Sequence, residues 1–241
     1  MIWLRSAVYL ALLVIVVVPY FLVVLACAPL PRVRRWKIIA GWPRFATWLA
    51  RHVLGIEYEV IGRENIPREP CIILSKHQSA WETLAFPGIF PPHVYVLKRE
   101  LLWLPFFGWG LALFSPIAIN RADRKRAMRR TIELGRERLA QGFSIMIYPE
   151  GTRIPVGKRG TYRRGGATLA VNTGARVLPV AHNAGVLWPR NSFRKFPGKV
   201  TVKIGTVIAS EGQSPDNLMH RVEDWIEGEV EQLVAAARSG G

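Results

Sequence analysis

Cysteine is nearly absent from this chain: among 241 residues only Cys27 and Cys71 occur, one in an apolar run and one in a strand-like run. That excludes a disulfide scaffold, and no His/Cys cluster has the spacing of a zinc site, so no metal is expected. Acidic residues are also scarce, 17 against 33 Lys and Arg, leaving a net charge of +16. Six of those acids lie in residues 214–241 beside only Arg221 and Arg238, so the remainder carries about +20. A basic chain faces nucleic acid or an anionic membrane. Charge of either sign is missing altogether from residues 6–28. Internal repeats and low-complexity runs are missing too, which excludes solenoids and arrays.

The uncharged stretch decides between the two anionic partners. Its 23 residues reach about 34 Å as a helix, against a hydrocarbon core of about 30 Å. A cleaved signal peptide would have a shorter apolar run and a more basic start than Arg5 alone. A retained anchor is expected, with Pro19 leaving a re-entrant hairpin open. Arg32, Arg34, Arg35 and Lys37 follow it, which keeps the downstream domain cytoplasmic by the positive-inside rule. Residues 38–54 then place Ile38, Trp42, Phe45, Leu49 and Val53 at helical spacing, with Trp48, Arg44 and Arg51 among them. Such a helix suits the headgroup zone, and equally a core-packing role. Residues 1–54 are therefore expected to attach the chain to a membrane, and residues 55–241 to form one further domain.

That domain reads as α/β. Strand-like runs at 57–61, 70–76, 93–98, 117–121, 143–148, 177–182 and 200–208 alternate with helix candidates at 80–86, 101–114, 123–141, 166–173 and 216–237. Alternation of this kind predicts a largely parallel central sheet flanked by helices. The 123–141 helix carries seven Lys and Arg around a Met128, Ile132, Gly135, Leu139 stripe. With no aromatic residue interleaved it does not read as a nucleic-acid surface. A solvated face, or attraction to anionic lipid or a polyanionic donor, both remain open.

Two short segments carry chemistry. In His77-Gln78-Ser79-Ala80-Trp81-Glu82 a histidine at a strand end precedes a carboxylate, with four residues between them. Imidazole held by carboxylate can deprotonate a hydroxyl at neutral pH. The two lie about 140° apart on an ideal helix, so they can meet only if His77 is in the turn and Glu82 in the first turn of the next helix. Ser79 to Glu82 is also a capping box, and the spacing alone fits both readings. In Tyr148-Pro149-Glu150-Gly151-Thr152-Arg153 a turn follows another strand. Backbone N–H groups, a hydroxyl and a guanidinium there can receive a phosphate, although a plain β-turn has the same composition.

His-x4-Glu, then Lys98-Arg99-Glu100, Ile119-Asn120-Arg121 and Glu150-Gly151-Thr152-Arg153, in this order over about residues 61–185, resemble the membrane-bound glycerolipid acyltransferases, and among them the bacterial 1-acyl-glycerol-3-phosphate acyltransferases. Glu82 departs from the aspartate more usual there. The resemblance implies transfer of a fatty acyl group to the free hydroxyl of a lysophospholipid, with His77 as base and Glu82 orienting it. Glu150, Gly151, Thr152 and Arg153 would bind the acceptor's phosphate, with Lys98 and Arg121 as further candidates. Pro179, in Val177-Leu178-Pro179-Val180, matches the family's last motif and would shape the pocket. It further implies acyl-CoA or acyl carrier protein as co-substrate, no other cofactor, and a place at the bacterial inner membrane. Acylation of another lyso-lipid, such as lyso-ornithine lipid, is the nearest alternative; a membrane-tethered nucleic-acid-binding protein is the alternative from another class.

Overall fold

The structure, a computed structural model, describes residues 1–104, 107–120 and 123–239. Seven strands, β1 (Ile56–Ile61), β2 (Ile72–Ser75), β3 (His93–Lys98), β4 (Ile117–Ile119), β5 (Ser144–Ile147), β6 (Val177–His182) and β7 (Gly198–Ile204), form one sheet in the order β1-β7-β6-β2-β5-β3-β4. All neighbours run parallel except β6 and β7. Central strands are buried on both sides, as a sheet covered by helices requires: Ile72, Ile73 and Leu74 of β2 have no exposed surface.

Alternate residues of these strands feed two cores. Ile73, Met146, Leu178, Val180 and Val202 face one, with Trp81, Phe86 and Ile89 of helix α4 (Trp81–Ile89). Ile72, Leu74, Ile145, Val177 and Ala181 face the other, under α6 (Arg124–Ala140), α7 (Gly165–Thr173) and α9 (Pro215–Ser239). Two short helices, α5 (Phe107–Leu113) and α8 (Ala184–Leu187), lie between strands.

The amino-terminal segment is tied to the first core. Helix α1 (Ile2–Ala26) contains an 18-residue stretch with a mean hydropathy of 3.0, and Leu4, Val14, Ile15, Val18 and Leu22 are exposed along it. Its opposite face is held along its length: Ser6 Oγ accepts from the Lys195 amide at 3.1 Å, Tyr9 donates to the Ala46 carbonyl at 3.2 Å, and Tyr20 donates to the Ile38 carbonyl. The expected single helix over 38–54 is divided into α2 (Arg32–Ile39), α3 (Gly41–Leu49) and a π-helical turn, Ala50–Leu54. Pro43 lacks the N–H that would continue α2 into α3. Each half serves a different core, Trp36 and Ala40 the second, Leu49, Ala50 and Leu54 the first.

Two further elements end earlier than their sequence pattern. The 101–114 run is a 3-10 turn, Arg99–Trp103, followed by α5, and the expected Phe106 lies outside the described residues. Strand β7 stops at Ile204, and only Ile208 returns to bridge Val177. Three residues of that segment then face two of β6, a bulge. Pro179 stands opposite it, where β6 has no N–H to give.

Candidate active site

Parallel pairing sets the carboxyl ends of four strands side by side. Leu74 of β2 pairs with Ile147 of β5, and Lys98 of β3 with Ile119 of β4. His77 and Glu150 therefore leave adjacent strands at the same edge, the usual place for ligands in open α/β sheets. Lys98 ends the next strand, exposed and with no acidic partner among the described residues. Arg121 lies outside the described residues.

His77 sits in the loop and Glu82 is the second residue of α4. His77 Nδ1 lies 2.8 Å from Glu82 Oε1, and the same oxygen accepts the amides of Gln78 at 2.9 Å and Ser79 at 2.8 Å. Ser79 Oγ in turn accepts the Trp81 amide at 3.1 Å. One carboxylate thus bonds back to the Ser79 amide, as in a capping box, and holds the imidazole, while the N-cap itself falls on Ala80 without a side-chain cap. Glu82 is fully buried, while 16% of the His77 side chain is exposed. The acceptor of the pair is hidden, and the base is reachable.

Burial alone would raise the Glu82 pKa; the nearby His182 and His77 imidazoles and the Ser79 amide outweigh it and hold the carboxyl below its usual range. Burial holds His182 below the ordinary histidine range, so His77 and the two amides are the partners that count. A carboxylate accepting Nδ1–H fixes the tautomer that leaves Nε2 as a base. The Tyr148 ring stacks on His77 with centroids 3.9 Å apart and planes 12° apart, which fixes the ring's tilt as well.

The turn after β5 is held from below. Lys76, fully buried, places Nζ 2.8 Å from Glu150 Oε1 and 2.7 Å from Glu227 Oε1, and the Tyr162 hydroxyl donates to Glu227 at 2.7 Å. The other Glu150 oxygen accepts the His77 amide at 2.9 Å. Glu150 was expected to touch phosphate; its carboxylate is instead turned inward, because a buried lysine needs an anion. Burial still pushes the Glu150 pKa up despite Lys76. Gly151 adopts φ +68°, left-handed backbone that suits glycine, and the Ile154 amide donates to the His77 carbonyl at 2.7 Å. The two loops are one unit.

Arg153 is half-buried, with its carbonyl accepting from Arg190 at 2.7 Å and no acidic side chain paired to its guanidinium among the described residues. Thr152 is exposed. Pro179 is buried inside β6 beside Leu74, part of the wall behind the loops. No group of three or more His, Cys, Asp or Glu able to hold a metal occurs among the described residues. Sequence reasoning missed Lys76 and Glu227. Their signals were a lysine directly after a fully buried strand and an acid beside the apolar stripe of α9.

Residues 57–183, which contain His77, Glu82, Lys98, the Glu150 to Arg153 turn and Pro179, match the family model described as Acyltransferase. The chain belongs to the acyltransferase family. The 1-acyl-sn-glycerol-3-phosphate acyltransferase of Pseudomonas aeruginosa is 52% identical to this acyltransferase over 198 residues, 81% of this chain and 77% of the relative. The alpha form from Mus musculus is 30% identical over 173 residues, 70% of this chain and 61% of that one. The crystal structure of the 1-acyl-sn-glycerophosphate acyltransferase from Thermotoga maritima superposes with a TM-score of 0.80 at 28% identity, covering 95% of both chains. The acyltransferase shares the fold of that protein, a largely parallel sheet flanked by helices, and carries an apolar amino-terminal helix.

Proposed function

We propose that this acyltransferase moves a fatty acyl group from a thioester donor to the free sn-2 hydroxyl of 1-acyl-glycerol-3-phosphate, giving phosphatidic acid for phospholipid synthesis. The observation that carries the reading is His77, reachable from outside and held through Nδ1 by buried Glu82 at 2.8 Å, on a loop bonded to the Arg153 turn. The names of the relatives above support the same substrate.

In this reading His77 Nε2 takes the acceptor's hydroxyl proton as the oxygen attacks the thioester carbonyl carbon. Glu82 steadies the imidazolium that forms. The tetrahedral intermediate collapses, the carbon–sulfur bond breaks, and the imidazolium returns its proton to the leaving thiolate. The acceptor supplies its own hydroxyl, so no serine or cysteine of the protein carries the acyl group. Arg153 grips the phosphate with the Gly151 and Thr152 backbone, and Lys98 and Arg121 add charge at the same sheet edge. Glu150 holds the turn through Lys76 and the His77 amide.

Residues 1–54 attach the enzyme to the membrane. α1 exposes one apolar face while its other face stays on the domain, and Trp48, Trp103 and Trp109 are exposed as interfacial anchors. We place the catalytic domain on the cytoplasmic side of a bacterial inner membrane, where acyl-CoA or acyl carrier protein is the donor. The test is transfer by the purified full chain to a panel of lyso-lipids from both donor types. Preference for lysophosphatidic acid supports the reading; preference for a phosphate-free lyso-lipid overturns it.

A further inference from the structure

Acyl transfer as described leaves one built cleft without a ligand. A cavity of about 570 Å³ opens beside the His77 loop, behind the Arg153 turn, and is lined by Gln78, Val156, Gly185, Pro189, Arg190 and Arg238 among others. Gln78 forms its buried end, while Arg190 and Arg238 are exposed at the outside. A side chain at Gly185 would come within 2.7 Å of Val156 and 2.9 Å of Gln78, so the backbone must approach closely there.

The charged groups of this cleft are all donors. Its lining contains two guanidiniums and no carboxylate. Arg238 has no acidic partner among the described residues, and Arg190 spends one N–H on the Arg153 carbonyl, keeping the rest of its fork. Gln78 Nε2 is buried with no acceptor, and its Oε1 takes only a long bond, 3.4 Å, from the Gly185 amide. An unmet buried donor is costly, and a ligand acceptor removes that cost. The remaining lining is the Asn191 carboxamide and the apolar Pro155, Val156, Val186 and Pro189. An anionic group on a slender, partly apolar stem fits this set: a phosphate ester.

We infer that the cleft binds the phosphate-bearing pantetheine arm of the acyl-thioester donor. The inference rests on the proposed thioester donor and adds where it is held. Val156 and Val186 of the cleft pack on the second core, with α7 and α9, while the segment that follows Arg190 packs on α1, Phe193 stacking on Trp3 and the Lys195 amide donating to Ser6. The last turn of α9, which supplies Arg238, is exposed to water. A water-soluble donor arm has access there, and its acyl end lies toward Gln78 and so toward His77.

The experiment compares the full-length wild type with Arg238→Glu and Arg238→Gln, both changes at an exposed position. Equilibrium titration with 4′-phosphopantetheine reads binding apart from catalysis, and kinetics are measured with acyl-CoA and with phosphate-free acyl-pantetheine. The inference expects phosphopantetheine binding and kcat/KM for acyl-CoA to fall about tenfold or more, as loss of a charge-assisted contact implies. KM for lysophosphatidic acid and turnover of acyl-pantetheine stay within about twofold. Unchanged binding and donor kinetics overturn it, as does a loss that falls on lysophosphatidic acid or equally on acyl-pantetheine. Arg238-dependent phosphopantetheine binding by a wild type that makes no phosphatidic acid would leave the cleft standing and refute the acceptor.

Discussion

Lys76→Met keeps the length of the side chain and removes its charge from a site where Nζ lies 2.8 Å from Glu150 and 2.7 Å from Glu227. Both carboxylates then remain in the interior with only the Tyr162 hydroxyl and the His77 amide as donors. Removing one partner of a buried ion pair costs about 3–5 kcal/mol, because the charge left behind is uncompensated. That is a large part of the roughly 5–15 kcal/mol that stabilises a folded domain. The pH dependence has a fixed sign. Burial already raises the Glu150 pKa, so protonation favours the folded state and stability falls as pH rises through the folded value. Loss of Lys76 moves that value further up, so the deficit should be largest near pH 8 and shrink toward about pH 5, as the unfolded carboxylate range near 4.3 is approached. The assay is urea unfolding of the full chain in detergent, followed by tryptophan fluorescence, at both pH values. Adding Glu150→Gln and Glu227→Gln should recover much of the loss, since no charge is then stranded. A Lys76→Met protein within about 1 kcal/mol of wild type at neutral pH, or a deficit that grows in acid, would refute the reasoning.

Glu82→Gln should lose most acyl transfer, because the amide cannot stabilise an imidazolium, while Glu82→Asp should keep substantial activity; kcat at saturating substrates reads both. Arg153→Lys keeps the charge and loses the fork, so kcat/KM for lysophosphatidic acid should drop roughly tenfold, with little change on a phosphate-free lyso-lipid. Equal losses on both acceptors would remove the phosphate clamp. Burial holds the His93 pKa down at about 4, so this ring stays neutral in the fold while the unfolded chain takes a proton below about pH 6.5. Stability should therefore fall from there toward pH 4, and His93→Phe should flatten that part of the unfolding curve.

The strands were legible because the central ones are mostly apolar runs and β1 and β7 alternate polar and apolar residues, and all seven occur where those patterns lie. Their order was not, since it depends on which crossovers pack, and the antiparallel β6–β7 pair leaves no local mark. The His77–Glu82 geometry was readable from strand-end position plus a capping box, two constraints that a single carboxylate meets together. The break between α2 and α3 had a signal in Pro43, overridden by the continuous apolar stripe across residues 38–54. The inward turn of Glu150 was hidden because its reason is Lys76 and Glu227, the second 151 residues away from the first. Long-range pairing of that kind has no spacing to read. Arg190 and Arg238, likewise, meet only in the folded chain.

The most direct measurement is transfer of a labelled acyl group from thioester to lysophosphatidic acid by purified wild type and His77→Ala, in the same detergent and under single-turnover conditions. With His77 as the base, wild type forms labelled phosphatidic acid with no labelled protein along the way. His77→Ala, folded as judged by its unfolding transition, should lose on the order of 10²–10⁴ in rate. Near-normal phosphatidic acid formation by His77→Ala, or label held covalently by the wild type before acceptor is added, would contradict direct transfer by the His77–Glu82 pair.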